Sequence, residues 1–161
     1  MANFRIGNGY DVHRLSAGLP LWLGGVEVPH SKGCIAHSDG DVLIHALCDA
    51  LLGAANLRDI GCQFPDNDPA YKGIDSKILL KKVMDLLRKK SYELGNADLT
   101  LVLQQPKVKD LIPAMQRCLA QVMGVSEEQI SVKATTTEGL GFVGREEGVA
   151  AYAVVVIYQR S

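Results

Sequence analysis

Several things are scarce in these 161 residues, and each scarcity removes a class of protein. Charge of one sign is the first. Seventeen Lys and Arg stand against 18 Asp and Glu, a formal net charge of −1, so no basic surface argues for nucleic acid or an acidic membrane. The four cysteines (Cys34, Cys48, Cys62 and Cys118) are scattered and form no CxxC pair. They read as reduced, mostly buried thiols rather than a disulfide frame or a cysteine metal site. No apolar run approaches the roughly 20 residues that cross a bilayer, and no basic-then-apolar leader opens the chain. Repeats and low-complexity linkers are missing too. The expectation is a cytoplasmic protein with a single domain over residues 1–161. Its 47% hydrophobic content supplies one core.

Among what is present, the densest polar stretch is 36–45 (AHSDGDVLIH), two histidines, two aspartates and a serine around one glycine. Asp39 or Gly40 is suited to cap a helix beginning near Asp41, because a short polar side chain or bare backbone satisfies the free N–H groups there. Leu43, Leu47, Ala50, Leu51 and Ala54 recur at three- and four-residue steps, one apolar helix face that fades by about Asn56. Asp41, His45 and Asp49 fall at i, i+4 and i+8 and line up in a polar row.

Residues 4–13 (FRIGNGYDVH) read as a strand whose Gly7 and Gly9 bend it or let another chain come close. Asp11 and His13, two apart, point to one face. Residues 21–28 suggest a hairpin turning at Gly24–Gly25, and 29–35 a loop. Residues 58–73 form a long polar loop without periodicity, of the kind that is usually functional or mobile. Asp75 or Ser76 caps a second helix to about Lys90. Residues 96–104 form a central strand ended by Pro106. A third helix spans 109–123, with Pro113 tolerable only in its first turn and Gly124 ending it. Strands follow at 130–134 and 149–158. This order predicts an α+β two-layer sandwich, helices on one face of a mixed sheet of about four main strands.

Asp11 and His13 from a strand with His45 from a helix make one carboxylate and two imidazoles, a set that suits catalytic zinc with an open position. The same set suits non-haem Fe(II). The plainer reading is a strand-end histidine paired with Asp11 and a polar-face helix histidine. In the metal reading, Asp41 and Asp49 orient His45 or touch substrate. A second polar focus is 133–138 (KATTTE), where hydroxyls, backbone N–H groups and a carboxylate meet at a strand end. Phosphate oxygens and a hard divalent cation want those groups. A capping box from Thr135 to Glu138 competes with that reading. The glycine-rich 139–148 is by itself more often a turn than a phosphate cradle.

Taken together, the blocks GNGYDVHRL (7–15), AHSDGDVLIHALCDALLGAA (36–55), DIGCQFPDNDPAYKGIDS (59–76), QQPK (104–107) and VKATTTEGLGFVGREEG (132–148) resemble the 2-C-methyl-D-erythritol 2,4-cyclodiphosphate synthase family of the non-mevalonate isoprenoid pathway. The resemblance runs from about Arg5 to about Ile157. It implies a homotrimer with active sites between adjacent subunits. It also implies a lyase-type cyclisation of 4-diphosphocytidyl-2-C-methyl-D-erythritol 2-phosphate that releases CMP, the substrate's own 2-phosphate being the nucleophile.

Carried over by motif, Asp11, His13 and His45 would bind Zn2+, and Glu138 a second cation, Mg2+ or Mn2+. His37 and Thr136 would stabilise the transition state. Asp11, Val12, His13, His37 and Ser38 would touch the substrate, with Asp49, Asp59, Ile60 and Gly61 on its erythritol part and Phe64, Pro65, Asp66, Asn67 and Asp68 as a flap. Leu103, Gln104, Gln105, Pro106, Lys107, Val108 and Lys109, with Ala134, Thr135, Thr136 and Thr137 from the adjacent subunit, would bind cytidine through backbone groups. Phe142 and Arg145 would face the substrate side. Arg145 and Glu147 would lie at the trimer axis, where an isoprenoid diphosphate in a central channel competes with a simple interface ion pair.

Departures from the family pattern are Asn8, Gln105 and Gly139, the last standing where a lysine is common and loosening the loop that carries Glu138. A zinc phosphoester hydrolase and a non-enzymatic trimeric binding module remain as competing classes. The Met1 start favours a bacterial cytosolic protein over a plastid one that has lost its transit peptide.

Overall fold

The computed structural model describes residues 3–65 and 67–160. Strand β1 (Phe4–Ala17) is the spine of the site. Its residues alternate between two faces: Gly7 and Gly9 are buried on the inner one, while Phe4, Ile6, Tyr10 and Val12 are exposed on the outer one. The hairpin β2 (Leu21–Leu23) and β3 (Val26–Val28) turns at Gly24–Gly25 as the sequence indicates. A short β4 (Lys32–Ile35) then pairs with the second half of β1.

Helix α1 (Val42–Ala54) lies on the inner face of β1, close enough that a Cβ on Gly7 or Gly9 would fall 2.0 Å from the carbonyl oxygen of Ala50 or Ala46. The two glycines therefore admit the helix backbone; they do not bend the strand. After α1 come the single-turn α2 (Ile60–Gln63), α3 (Ser76–Lys89), β5 (Tyr92–Val102), α4 (Ile112–Met123), β6 (Ile130–Thr135), the single-turn α5 (Gly141–Gly144) and β7 (Gly148–Gln159).

The main sheet has five strands in the order β4-β1-β7-β5-β6; β5 and β6 run parallel and the other neighbours antiparallel. An α+β class with a mixed sheet is thus correct, with one strand more than expected. The extra strand is β4, whose four residues carry no alternation that would mark them in the sequence. Strand β5 begins at Tyr92, ahead of residue 96, because a bulge between Leu94 and Asn96 breaks its period.

The core lies between sheet and helices. Leu43, Ile44, Leu47, Leu51 and Leu52 of α1, Leu80 and Leu87 of α3, Met115 of α4, and Leu99 and Leu101 of β5 are fully buried. At about 1.5–3 kcal/mol for each large apolar side chain taken from water, this layer is the main favourable term in folding. The opposite face of the sheet is bare: Tyr152, Val154 and Tyr158 of β7 join Phe4, Ile6, Tyr10 and Val12 in an exposed apolar surface. All four cysteines are free thiols. Cys34 and Cys48 are buried, Cys118 is half-buried and Cys62 is exposed.

Two local expectations change and two hold. Asp41, not Asp39 or Gly40, caps α1, its backbone extended and its carboxylate accepting from the Ile44 amide. Asp75 caps α3 and Pro113 occupies the first turn of α4. The first three residues of the expected 109–123 helix form a separate 3-10 turn, Lys109–Leu111. No helix of the described residues is long and apolar enough to cross a membrane.

Candidate metal centre and its flanking cavities

Beyond the footprint of α1, the inner face of β1 continues into Asp11 and His13. Because α1 runs antiparallel to β1, its first turns bring His45 over these two residues. Asp11 Oδ2, His13 Nε2 and His45 Nδ1 form a triangle with sides of 2.9, 3.0 and 3.1 Å. Among the described residues they are the one group of three or more His, Cys, Asp or Glu side chains that could hold a metal ion.

The donor set fits. One carboxylate oxygen and two imidazole nitrogens, each within 3.1 Å of the others, would together hold a divalent cation as three protein ligands, the usual number at a catalytic metal site. Burial works to raise the Asp11 carboxyl, but the two imidazoles beside it bring it down to about 2. Burial likewise opposes a charge on His45, and the Asp11 carboxylate outweighs it, raising the imidazole above its ordinary value. Protons and a divalent cation therefore compete for the same three atoms.

The polar row along α1 does not serve His45 as the sequence suggested. Asp41 is fully buried and accepts from the amides of Gly24 at 2.9 Å, Gly25 at 2.6 Å and Ile44 at 3.0 Å, binding the hairpin to the start of α1. Asp49 accepts from the Ile60 amide at 2.8 Å and so anchors the following loop. The groups that meet His45 Nε2 are Ser76 Oγ at 2.8 Å and Ser38 Oγ at 3.1 Å. Ser76 in turn meets Asp39. Sequence reasoning missed Ser76 and Asp39 in this role. Both stand at helix starts, where a capping explanation suffices, and 37 positions separate them.

A small cavity of about 110 Å³ beside the triad is lined by His37, Ser38, Ile60, Phe64, Tyr71 and Ile74 among others. His37 Nε2 is buried there without a hydrogen-bond partner among the described residues. The loop above it is more regular than expected. Asp59 caps α2 by accepting from the Cys62 amide, and Asp68 caps the 3-10 turn Pro69–Tyr71. Phe64 is buried edge-on against Tyr71, ring centroids 5.5 Å apart. Asn67 and Pro65 lie on this loop, while Asp66 falls outside the described residues.

The second polar focus is a different cavity. About 420 Å³ are lined by Leu103, Gln104, Pro106, Lys107, Val108 and Lys109 with Ala134, Thr135, Thr136 and Glu138. Thr135 ends β6 and no helix begins directly after it, so the capping box does not form. Thr136 Oγ1 instead accepts from the Glu138 amide at 3.2 Å, with Glu138 in a left-handed conformation. The Gly139 amide donates to Gln104 Oε1 at 3.2 Å, joining the two loops. Gln105 and Thr137 sit in these loops but do not line the cavity. A third hollow of about 730 Å³ contains Val12, His13, Phe142, Arg145 and Glu147. There Arg145 donates to Glu147 through Nε at 3.0 Å and Nη2 at 3.2 Å.

Fold and site together define an α+β sandwich with a carboxylate–imidazole triad between strand and helix that could hold a metal ion. The chain belongs to the YgbB family, whose model matches residues 4–158. It is 66% identical over 154 residues to the 2-C-methyl-D-erythritol 2,4-cyclodiphosphate synthase of Porphyromonas gingivalis, covering 96% of this chain and 95% of that one. Among solved structures, the bifunctional IspDF of Campylobacter jejuni superposes with a TM-score of 0.96 at 45% identity, over all of this chain and 44% of that one. A CDP-bound 2C-methyl-D-erythritol-2,4-cyclodiphosphate synthase matches with a TM-score of 0.88 at 41% identity, over 95% of this chain and 99% of that one.

Proposed function

We propose that this protein is a 2-C-methyl-D-erythritol 2,4-cyclodiphosphate synthase, converting 4-diphosphocytidyl-2-C-methyl-D-erythritol 2-phosphate to the 2,4-cyclodiphosphate and CMP. The observation that carries this reading is near-full-length identity to proteins of that name, on a chain whose Asp11, His13 and His45 converge within 3.1 Å of one another. In the reaction a 2-phosphate oxygen bonds to the β-phosphorus. The bond from that phosphorus to the bridging oxygen breaks, and the oxygen leaves on CMP. No protein nucleophile is required; positioning and charge neutralisation do the work.

Asp11 Oδ2, His13 Nε2 and His45 Nδ1 would hold Zn2+, and Glu138 a second cation, Mg2+ or Mn2+. One carboxylate suffices for the latter when substrate phosphates supply other ligands. Such ions polarise the phosphoryl oxygens and neutralise charge as it develops. His37, whose buried Nε2 has no hydrogen-bond partner among the described residues, would donate to a phosphate oxygen, and Ser38 would touch the attacking phosphate. Thr136 would share the transition-state charge with His37. Asp49, Asp59, Ile60 and Gly61 would bind the erythritol part beneath a flap of residues 64–68. The cavity of residues 103–109 and 134–138 would take cytidine through backbone groups, which accounts for base recognition without an aromatic clamp.

We further read the assembly as a homotrimer in the cytoplasm. The metal triad and the Thr136–Glu138 cavity share no lining residue within one chain, which supports a site completed between two copies. The bare apolar face of β1 and β7 gives such copies a surface to bury. Release of CMP from the substrate by purified protein, abolished by chelation and restored by Zn2+ with Mg2+, tests the assignment. Turnover that persists in chelator would reject it.

A further inference from the structure

Around His45 the hydrogen bonds form a chain with a direction. Asp39 is held before it meets any side chain: its own amide donates to the Ile74 carbonyl at 3.1 Å, and its carboxylate accepts from the amides of Ser76 at 2.9 Å and Asp41 at 3.2 Å. The Gly73 amide donates to the His37 carbonyl at 2.7 Å, so the loop before α1 and the loop before α3 are joined on both sides of Asp39. Ser76 is fully buried, and its hydroxyl donates to Asp39 Oδ1. A carboxylate only accepts, so the Ser76 proton must point toward Asp39. The Ser76 oxygen then has only lone pairs to offer to His45 Nε2, 2.8 Å away. Ser38 Oγ, the other hydroxyl near Nε2 at 3.1 Å, accepts from the Gly40 amide and keeps a second lone pair that can also accept from Nε2.

We infer that Asp39 and Ser76 are positioning residues that hold the proton of His45 on Nε2 and so keep Nδ1 free as a metal ligand beside Asp11 and His13. The inference rests on the reading of those three residues as the metal site. A metal-binding histidine generally donates its other N–H to a carboxylate, carbonyl or water. Here a buried serine carries that role and a carboxylate fixes the serine. The same chain ties the metal ligand to the base of the loop of residues 58–73, because Ser76 begins the helix that follows it. In the absence of metal the order matters most, since Asp11 Oδ2 lies 3.1 Å from Nδ1 and would draw the proton there.

Two variants separate positioning from general support. Ser76→Ala removes the acceptor but leaves Asp75, the actual cap of α3, in place. Asp39→Asn keeps the size of the side chain, but its amide group can donate to Ser76 and turn the hydroxyl toward Nε2 as a donor. The readouts are the imidazole 15N shifts of His45 in metal-free protein at a pH where the ring is neutral, and zinc affinity by chelator competition. The unaltered protein should show the Nε2–H tautomer. Both variants should move it toward Nδ1–H, bind zinc about 10- to 100-fold more weakly, and show no further loss when combined. An unaltered tautomer in both variants overturns the inference, even if zinc affinity falls. Wild-type protein that shows the tautomer but binds no zinc refutes the metal reading and leaves the chain standing.

Discussion

A Cβ placed on Gly9 would lie 2.0 Å from the carbonyl oxygen of Ala46. That approach fixes the height of α1 above β1, and with it the distance from His45 to Asp11 and His13. Backbone cannot yield as a flexible side chain would. Gly9→Ala should therefore destabilise the fold by about 3 kcal/mol or more. Where folded protein is recovered, zinc affinity should fall with it. Thermal melts and chelator competition measure the two effects, and an unchanged melting temperature would contradict the packing argument.

Metal-free stability should depend on pH through the same triad. His45 faces Asp11 and His13 from β1, Ser38 from the preceding loop and Ser76 from α3. Its pKa is raised, so the stability from its charged pairing is fully present below about 6.5 and is lost as pH rises through the raised value. Asp11, at about 2, stays ionised throughout this window. Zinc replaces the proton that leaves. Stabilisation by zinc should consequently grow as pH rises above about 6.5 through the raised value, seen as a widening gap between melts with and without the ion. A gap that does not vary with pH would contradict this.

Val154 stands on the bare outer row of β7, 47% exposed in the single chain. A charge there costs little in a monomer and a great deal in an interface. Val154→Asp should dissociate the assembly, with sedimentation showing the trimer mass in the parent and a smaller species in the variant. A monomeric parent would contradict the trimer outright.

Arg145 and Glu147 are both exposed in the single chain and pair through two hydrogen bonds. If the assembly brings three copies of Arg145 to its axis, farnesyl diphosphate should bind in calorimetry, and Arg145→Ala should abolish that binding. Failure to bind, or binding indifferent to Arg145→Ala, would leave the pair as an interface contact alone.

The elements with a clear period were legible in the sequence. The apolar steps of α1 and the two-residue spacing of Asp11 and His13 placed the three candidate metal ligands on a strand and a helix, although only the fold could bring them to 3 Å. The helix row misled in one respect. Asp41 and Asp49 share a face with His45, yet both carboxylates are taken by backbone amides, an alternative that spacing cannot rank. Ser76 and Asp39 were invisible as partners of His45, because their contact depends on how two loops join. Strand β4 was missed for want of any alternation, and that the Thr136 cavity and the triad are lined by different residues has no signature in the chain order at all.

The most direct measurement follows the substrate's phosphorus by 31P NMR with purified protein, Zn2+ and Mg2+, and with His45→Ala alongside. The expected result is CMP and the cyclic diphosphate appearing in step, with the variant silent. CMP accompanied by a linear phosphorylated product would contradict cyclisation and make the centre a hydrolase.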